Sequence, residues 1–199
     1  MKLTDNQQRA INSNAARIKV LAVAGSGKTT VLTKRVKRLI REGVDPDEIL
    51  ILTFTRKMAK VLSARVGKLK WVGTFHALCF KMIEIQPTLI GYKKVFMIDE
   101  NERKDIVKNI IENNYLKFKN QATLSKWLAD YYTLGVIPHD HNFKLFIKLY
   151  SHFMKKSGLL DFDMVEYFVK KVIASGNIVF KHVIIDEYQD TSIIEKQIV

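Results

Sequence analysis

The sequence predicts an α/β fold built on a parallel sheet, and three observations carry this prediction. A glycine-rich segment, residues 22–29, separates a strand-type run at Ile18 to Val23 from a helix-type run at Thr30 to Ile40. A near-continuous run of β-branched and leucine residues at Ile49 to Phe54 is typical of a parallel strand covered on both faces. A helical pattern at Lys57 to Val66 follows it. Alternating strands and helices of this kind are characteristic of α/β proteins.

Residues 22–29 are Ala-Val-Ala-Gly-Ser-Gly-Lys-Thr, and they have the features of a phosphate-binding loop. Glycines let consecutive backbone N–H groups point inward, and the N-terminus of the following helix adds partial positive charge. The lysine can reach the β- and γ-phosphates, and the threonine hydroxyl can ligate Mg²⁺. The alternative is a plain glycine-rich turn between a strand and a helix. The candidate phosphate-binding residues are Ala24, Gly25, Ser26, Gly27, Lys28 and Thr29.

Two adjacent carboxylates follow a second strand-type run near the end of the chain. Val179 to Ile185 is apolar apart from Lys181 and His182, and Asp186 and Glu187 come directly after it. Opposite a phosphate-binding lysine, Asp186 would bind Mg²⁺ and Glu187 would polarise the attacking water. Adjacent acids at a turn are common, so the pair gains its meaning from the phosphate-binding loop. Together they predict a site for a nucleoside triphosphate.

Gln7 permits two interpretations. Thr4 followed three residues later by Gln7 is a capping box, in which the glutamine serves only the start of a helix. A glutamine amide also offers one donor beside one acceptor, which matches the edge of adenine. Both interpretations stay open.

Hydroxyl and aromatic residues follow two predicted strands in the same arrangement. Thr53-Phe54-Thr55-Arg56 ends the run at 49–54, and Thr74-Phe75-His76 ends a short run at Trp71 to Gly73. Ligands bind at the carboxyl edge of an open parallel sheet, where such aromatics could stack a base beside a phosphate. The alternative for Phe54 and Thr55 is a core phenylalanine and a helix cap. No second ligand stands at metal-binding spacing from His76, so we assign that histidine no metal role.

The middle of the chain differs in character. Residues 85–177 show successive helical patterns, and their aromatic residues stand at helical spacing, which favours core packing over a base-stacking surface. We therefore predict a small all-helical subdomain at 85–177, with linkers at Gln86-Pro87 and Ser175-Gly176-Asn177. It interrupts a nucleotide-binding domain formed by residues 1–84 and 178–199.

The charge distribution suggests a polyanionic partner. The 199 residues carry a net charge of +13, and residues 1–84 hold 17 Lys and Arg against six Asp and Glu. Such a basic segment favours nucleic acid as a partner, although a solvated basic face is the alternative. No apolar run is long enough for a membrane span, the N-terminus has no signal-type apolar stretch, and there is one cysteine, Cys79. We expect a cytoplasmic protein.

Taken together, the motifs resemble the UvrD/Rep-type superfamily 1 DNA helicases over nearly the whole chain. Leu3 to Ile11 resembles the Q motif, and residues 22–29 resemble the Walker A segment, including the alanine at position 22. Thr53-Phe54-Thr55 and Val72-Gly73-Thr74-Phe75-His76 resemble motifs Ia and Ib. Asp186-Glu187-Tyr188-Gln189-Asp190-Thr191 resembles motif II. Gly158 to Phe162 resembles a segment of the family's helical subdomain. Arg56 and Thr30 depart from the family, which has asparagine and arginine at these positions.

The resemblance implies a RecA-like P-loop NTPase domain, with helices on both faces of its sheet, that binds ATP and Mg²⁺. It implies that the parent is an ATP-dependent DNA helicase that moves 3′→5′ along single-stranded DNA in repair or replication. The nucleotide would contact Gln7, the Walker A residues and Thr30, and the metal would contact Thr29 and Asp186. Catalysis would involve Lys28, Glu187 and Gln189. The DNA would contact Phe54, Thr55, Arg56, Thr74, Phe75 and His76.

The resemblance also implies a second RecA-like domain, which supplies arginines to the opposite wall of the ATP site. These 199 residues contain no segment resembling it, so we expect little ATPase activity from them alone. Two other function classes stay open. The first is a nucleic-acid-binding module without ATP turnover. The second is an unrelated P-loop enzyme such as a small-molecule kinase, which would leave the two aromatic segments unexplained.

Overall fold

The computed structural model describes residues 3–23, 25–67 and 69–190, and these form eight α-helices and five β-strands. Ala24 of the predicted phosphate loop and Thr191 of the motif II segment lie outside the described residues. The chain divides into two compact units. The first unit contains the described residues up to Leu78 and from Val179, and the second unit contains Cys79 to Ile178.

A three-stranded parallel sheet forms the centre of the first unit. Its strands are β1 (Ile49–Thr53), β2 (Val72–Thr74) and β5 (His182–Ile185), in the order β2-β1-β5. Its helices are α1 (Asp5–Asn12), α2 (Lys28–Arg41), α3 (Arg56–Val66) and the start of α4 (Phe75–Ile85). The parallel α/β architecture predicted from the sequence is confirmed.

The central strand β1 forms the core of the first unit together with α2 and α3. All five of its residues are buried, as expected of a parallel strand that is covered on both faces. Ile49 and Ile51 pack in one cluster with apolar residues of α2 and α3, namely Leu32, Val36, Leu39, Leu62 and Val66.

The strand predicted at Ile18 to Val23 is absent from the structure. These residues have no regular secondary structure, and the side chains of Leu21 and Val23 are 81% and 79% exposed. A strand needs a neighbour for its backbone N–H and C=O groups. β5 pairs directly with β1, and no strand among the described residues pairs with residues 18–23. An apolar, β-branched run of residues is therefore not sufficient by itself to form a strand.

The second unit is mainly helical but also contains a small sheet, so its prediction as all-helical is wrong. After the end of α4 come α5 (Glu100–Asn113), α6 (Gln121–Leu134), α7 (His141–Ser157) and α8 (Phe162–Ala174). Strands β3 (Phe96–Met97) and β4 (Leu159–Leu160) pair in parallel. Strands of two residues are too short to show an alternating pattern in a sequence. None of the helices among the described residues is long and apolar enough to cross a membrane.

Aromatic residues form much of the core of the second unit. Phe143, Phe146 and Tyr150 on α7 are fully buried, and the rings of Phe146 and Tyr150 stack with centroids 5.5 Å apart. Tyr132 of α6 is also buried. Helical spacing therefore correctly indicated core packing for Tyr132 and Tyr150, but it was wrong for Phe153 of α7, which is 41% exposed.

Glycine is required at one helix end of the second unit and only preferred at another. Gly135 and Gly158 follow α6 and α7 with left-handed φ angles of 69° and 70°. A Cβ at Gly158 would lie 2.8 Å from the Lys94 carbonyl oxygen, whereas a Cβ at Gly135 would meet nothing within 4 Å. Only the first replacement must therefore displace backbone.

We expect Gly158→Ala to lower the free energy of unfolding by at least about 2 kcal/mol, because backbone strain and a steric clash add. Gly135→Ala, its matched control, should cost about 1 kcal/mol from the left-handed conformation alone. Urea unfolding followed by circular dichroism measures both. Equal decreases in the free energy of unfolding for the two variants would show that the structure accommodates a Cβ beside the Lys94 carbonyl oxygen at no extra cost.

Candidate functional site

The loop before α2 has the geometry of an anion cradle. Gly25 and Gly27 adopt left-handed φ angles of 76° and 86°, and Gly27 is the N-cap of α2. No side chain caps this helix end, so the N–H groups of the first turn of α2 have no side-chain partner there. Lys28 and Thr29 are the first two residues of α2. The loop therefore presents backbone donors and a lysine at one helix N-terminus.

Ser26 gives independent support for a ligand at this loop. Its hydroxyl oxygen is buried and has no hydrogen-bond partner among the described residues. A buried hydroxyl without a partner costs free energy. A phosphate oxygen in the cradle would supply an acceptor, so the donor set here fits a phosphorylated ligand.

Lys28 faces Glu187 across the first unit. The Lys28 ammonium lies 3.0 Å from Glu187 Oε1 and 3.3 Å from Oε2, and the Gln189 amide donates to Oε2 at 2.7 Å. The bonds from Gln189 and then from Lys28 lower the pKa of Glu187. Glu187 has a left-handed φ of 55°, a conformation that non-glycine residues seldom adopt. The predicted phosphate-binding lysine and the predicted catalytic acid are thus in direct contact.

Asp186 lies beside this pair at the end of β5. Its backbone N–H donates to the carbonyl of Leu52 at 2.9 Å, which extends the pairing of β5 with β1. Burial and then the charge of Glu187 raise the pKa of Asp186, against the opposing effect of Lys28. A divalent cation would relieve this repulsion between carboxylates. No cluster of three His, Cys, Asp or Glu side chains occurs among the described residues, and Mg²⁺ commonly needs only one or two protein ligands beside phosphate oxygens. Asp186 at the end of β5 and Thr29 in the first turn of α2 carry oxygen groups of the type that Mg²⁺ binds.

Gln7 makes both the contact predicted for a cap and one that the sequence did not indicate. Its Oε1 accepts from the Thr4 N–H at 3.0 Å, completing the capping box of α1. Its Nε2 donates to the Ser26 carbonyl at 2.9 Å. A Cβ at Gly27 would lie 3.1 Å from the same Nε2. The capping interpretation is confirmed, and the amide also contacts the phosphate loop. Thr30, which was also predicted to contact the nucleotide, lies in the first turn of α2.

The carboxyl ends of all three strands meet at one edge of the sheet. Thr53 pairs with Thr74, and Leu52 pairs with Ile185. Phe54 and Phe75 follow directly after β1 and β2, as Asp186 follows β5. The register therefore brings the predicted DNA-contacting residues to the same edge as the two carboxylates, Asp186, predicted to bind metal, and Glu187, predicted to be catalytic.

The two aromatic residues at this edge differ in exposure. Phe54 is 67% exposed, whereas Phe75 is 8% exposed, so Phe54 offers an open ring face and Phe75 contributes mainly to packing. The core interpretation of Phe54 is wrong. Thr55 accepts from the Met58 N–H at 3.1 Å, so its interpretation as a helix cap is confirmed. Arg56 begins α3 and is exposed, and His76, half-buried, packs edge-on against Phe75 with ring centroids 5.6 Å apart.

A small cleft of about 30 Å³ connects the aromatic and acidic parts of this edge. Its lining includes Thr53, Phe54, Phe75, Asp186, Glu187 and Asp190. Thr53 and Asp190 were not among the residues that the sequence predicted for the site. Thr53 is buried and donates its hydroxyl to the Thr55 carbonyl at 3.0 Å, which holds the backbone on either side of Phe54.

Comparison with known proteins identifies the family of the chain. The family described as UvrD/REP helicase N-terminal domain matches residues 3–199. The chain is 28% identical to a probable DNA helicase II homolog of Mycoplasma capricolum over 96% of the chain and 31% of that protein. It is 30% identical to the ATP-dependent DNA helicase Rep of Buchnera aphidicola over 100% of the chain and 33% of that protein.

A further relative is the ATP-dependent DNA helicase PcrA of Staphylococcus aureus, at 28% identity over 96% of the chain and 30% of that protein. The chain thus spans about a third of the length of these relatives. Because the family match covers nearly every residue, the chain belongs to the UvrD/REP helicase family, in the part that forms its N-terminal domain.

Proposed function

We propose that the chain is the ATP-binding part of an ATP-dependent DNA helicase that moves 3′→5′ on single-stranded DNA. The observation that carries this proposal is the contact between Lys28 and Glu187, with Asp186 beside it. A lysine at a helix N-terminus opposite two carboxylates is the arrangement that phosphoryl transfer from a nucleoside triphosphate requires. The family membership of the chain supports ATP and DNA as the ligands.

The residues take distinct roles in this proposal. Lys28 and the loop N–H groups bind the phosphates, and Ser26 donates its unpaired hydroxyl to a phosphate oxygen. Glu187 accepts a proton from the attacking water, and Gln189 orients the Glu187 carboxylate through their 2.7 Å hydrogen bond. Thr29 and Asp186 would hold Mg²⁺, which would neutralise phosphate charge when bound. Glu187 pairs with the Lys28 ammonium at 3.0 Å, so a phosphate group that binds at Lys28 competes with this ion pair.

Single-stranded DNA is proposed to lie along the exposed edge of the sheet. Phe54 stacks a base, and Arg56, first in α3, contacts a phosphate. Thr55, Thr74 and His76 complete the proposed contacts, whereas Phe75, which was also predicted to contact DNA, is buried and supports the edge by packing. The basic charge of residues 1–84 strengthens this attraction at low salt.

We further propose that the first unit is a RecA-like domain and that the second unit is a subdomain inserted into it. The sequence predicted the insert at residues 85–177, whereas the compact units change at Leu78/Cys79 and Ile178/Val179. The first change lies within α4, so a continuous helix enters the second unit. The second RecA-like domain, with its arginines, is proposed to correspond to the remaining two-thirds of the longer relatives.

The DNA part of this proposal is tested by replacing Phe54. We expect Phe54→Ala to weaken single-stranded DNA binding roughly tenfold, because one stacked base is lost. Fluorescence anisotropy with a labelled oligonucleotide, with and without Mg·ATP, measures the change. Phe153→Ala, a replacement of a 41% exposed phenylalanine of α7, serves as the matched control and should leave affinity within about twofold.

Raising the salt concentration should weaken binding of the wild-type chain and of both variants alike, because phosphate contacts release counterions. Equal DNA affinity of wild-type and Phe54→Ala chains would contradict a DNA path along this edge. DNA binding without any binding of ATP would instead favour the alternative, a nucleic-acid-binding module.

A further inference from the structure

Arg35 makes an unusual set of contacts within the first unit. It lies in the middle of α2, yet its Nη1 donates to three backbone carbonyls at the C-terminal end of α1. The distances are 3.0 Å to Ala10, 3.2 Å to Ile11 and 2.8 Å to Ser13. Nothing in the sequence distinguishes this arginine, because it is one of several basic residues on α2.

These contacts satisfy carbonyls that a helix end leaves without intrahelical partners. They also set a positive charge against the negative end of the α1 dipole. Burial and then the charge of Arg38 lower the pKa of Arg35, so the guanidinium is partly withdrawn from water. A second arginine assists, because Arg38 Nη2 donates to Asn14 Oδ1 at 2.9 Å.

α1 depends on such anchors because it has little else to hold it. It contains eight residues, of which only Ile11 is buried, and isolated helices below about 12 residues are marginal in water. Its N-terminal turn is fixed by Gln7, whose amide donates to the Ser26 carbonyl of the phosphate loop. Its C-terminal end is fixed by Arg35. The position of Gln7 over the nucleotide site therefore depends on a residue that is seven positions after Lys28 and does not belong to the loop.

We propose, on the basis of the function proposed above, that Arg35 is a positioning residue that acts through Gln7 on recognition of the adenine base. Arg35 holds α1 against α2, and α1 presents the Gln7 amide beside the phosphate loop. Loss of Arg35 releases the amide and its bond to the Ser26 carbonyl, but leaves in place Lys28 and the N–H groups at the start of α2, which carry most of the phosphate binding in this proposal. The triphosphate part of the affinity is thus separate from the base-dependent part.

The test compares Mg²⁺-dependent affinities for ATP, GTP and inorganic tripolyphosphate in the 199-residue chain. We expect Arg35→Ala to weaken ATP binding about tenfold, as loss of a charge-assisted contact does, and to remove the preference for ATP over GTP. Affinity for tripolyphosphate should stay within about twofold. Arg35→Lys keeps the charge and should restore part of the preference.

Arg41→Ala is the matched control, because Arg41 is an exposed arginine on the same helix whose Nε donates to the Lys37 carbonyl of α2 at 3.3 Å and whose guanidinium makes no hydrogen bond with α1 among the residues that the structure describes. It should leave all three affinities unchanged. A double-mutant cycle then tests the route. If Arg35 acts through Gln7, the double variant Gln7→Ala/Arg35→Ala binds ATP no more weakly than Gln7→Ala alone.

Independent, additive losses in the cycle, or an equal loss for ATP and tripolyphosphate, would overturn the role of Arg35 in base recognition. So would unchanged ATP affinity in Arg35→Ala, and in that case the proposed function would stand. Failure of the wild-type chain to bind ATP and tripolyphosphate would overturn the proposed function and this role together. Thermal melting of each variant separates these results from a loss of folding, and Arg35→Lys keeps the comparison available if the alanine variant unfolds.

Discussion

Replacing Lys28 by alanine is expected to weaken Mg·ATP binding by at least about 100-fold, which corresponds to about 2.7 kcal/mol. The ammonium is the one side-chain cation that the structure brings to Glu187 among the described residues, and it stands at the N-terminus of α2, where phosphate would bind. Charge-assisted hydrogen bonds to phosphate are among the strongest that a protein makes. Titration of a fluorescent ATP analogue with Mg²⁺, with and without single-stranded DNA, measures the loss.

Lys34→Ala is the matched control for this experiment. Lys34 is an exposed lysine on the same helix, and its loss should change ATP affinity by less than about twofold. The fold should survive Lys28→Ala, because Glu187 keeps its hydrogen bond from Gln189 and remains partly exposed. If Lys28→Ala and the wild-type chain bind ATP with similar affinity, the phosphate loop does not form the ATP site.

The second large effect is expected in the second unit, where Asp161→Ala should lower the free energy of unfolding by about 3–5 kcal/mol. Asp161 is 1% exposed and is the N-cap of α8, accepting from the Met164 N–H at 2.8 Å. Its other oxygen accepts from the Tyr150 hydroxyl at 2.6 Å and lies 3.5 Å from Arg103 Nε. The carboxylate therefore joins α5, α7 and α8.

Burial explains why this loss is large. Desolvation and then the charge of Asp161 raise the pKa of Tyr150, so its hydroxyl stays a donor even well above neutral pH. Desolvation acts to lower the pKa of Arg103, but the charges of Asp161 and Asp163 outweigh it and raise that pKa. Removing Asp161 leaves the Tyr150 hydroxyl and the Met164 N–H without this acceptor and Arg103 without one of its carboxylate partners. This is costlier than losing an exposed ion pair.

Asp99→Ala provides a matched control, because Asp99 is an exposed aspartate that caps α5 in the same unit. Loss of this exposed cap should cost about 1 kcal/mol. Urea unfolding gives both values, and hydrogen exchange of α5, α7 and α8 shows where Asp161→Ala acts. A cost for Asp161→Ala no greater than that for Asp99→Ala would mean that the buried contacts contribute little net stability.

The local elements of this protein could be predicted from its sequence. The helices α2, α3, α5, α6, α7 and α8 were each indicated by apolar spacing, and the Thr4–Gln7 capping box is present in the structure. The strand β1 was indicated by its unbroken apolar run, because a parallel strand that is covered on both faces has apolar residues at successive positions. The phosphate loop was indicated by glycines that adopt the left-handed angles expected of them. Each of these signals is contained within a short stretch of consecutive residues.

Other features were decided only by the tertiary structure. The strand-type run at Ile18 to Val23 is not a strand, because strand formation depends on a neighbour that no local pattern supplies. Phe54 and Phe75 occupy equivalent positions after their strands, yet one is exposed and the other is buried. Exposure depends on what packs above the sheet edge, and the sequence does not state this.

The candidate site shows the same division. Its residue types were recognisable, since a phosphate-binding lysine and paired acids have characteristic local sequences. Their geometry was not, since Lys28 and Glu187 are 159 positions apart and meet only because β5 pairs in register with β1. The contacts of Gln7 with the loop and of Arg35 with α1 likewise depend on how two helices pack. Sequence determined the chemistry of these groups, and the register of the sheet and the packing of its helices determined which groups meet.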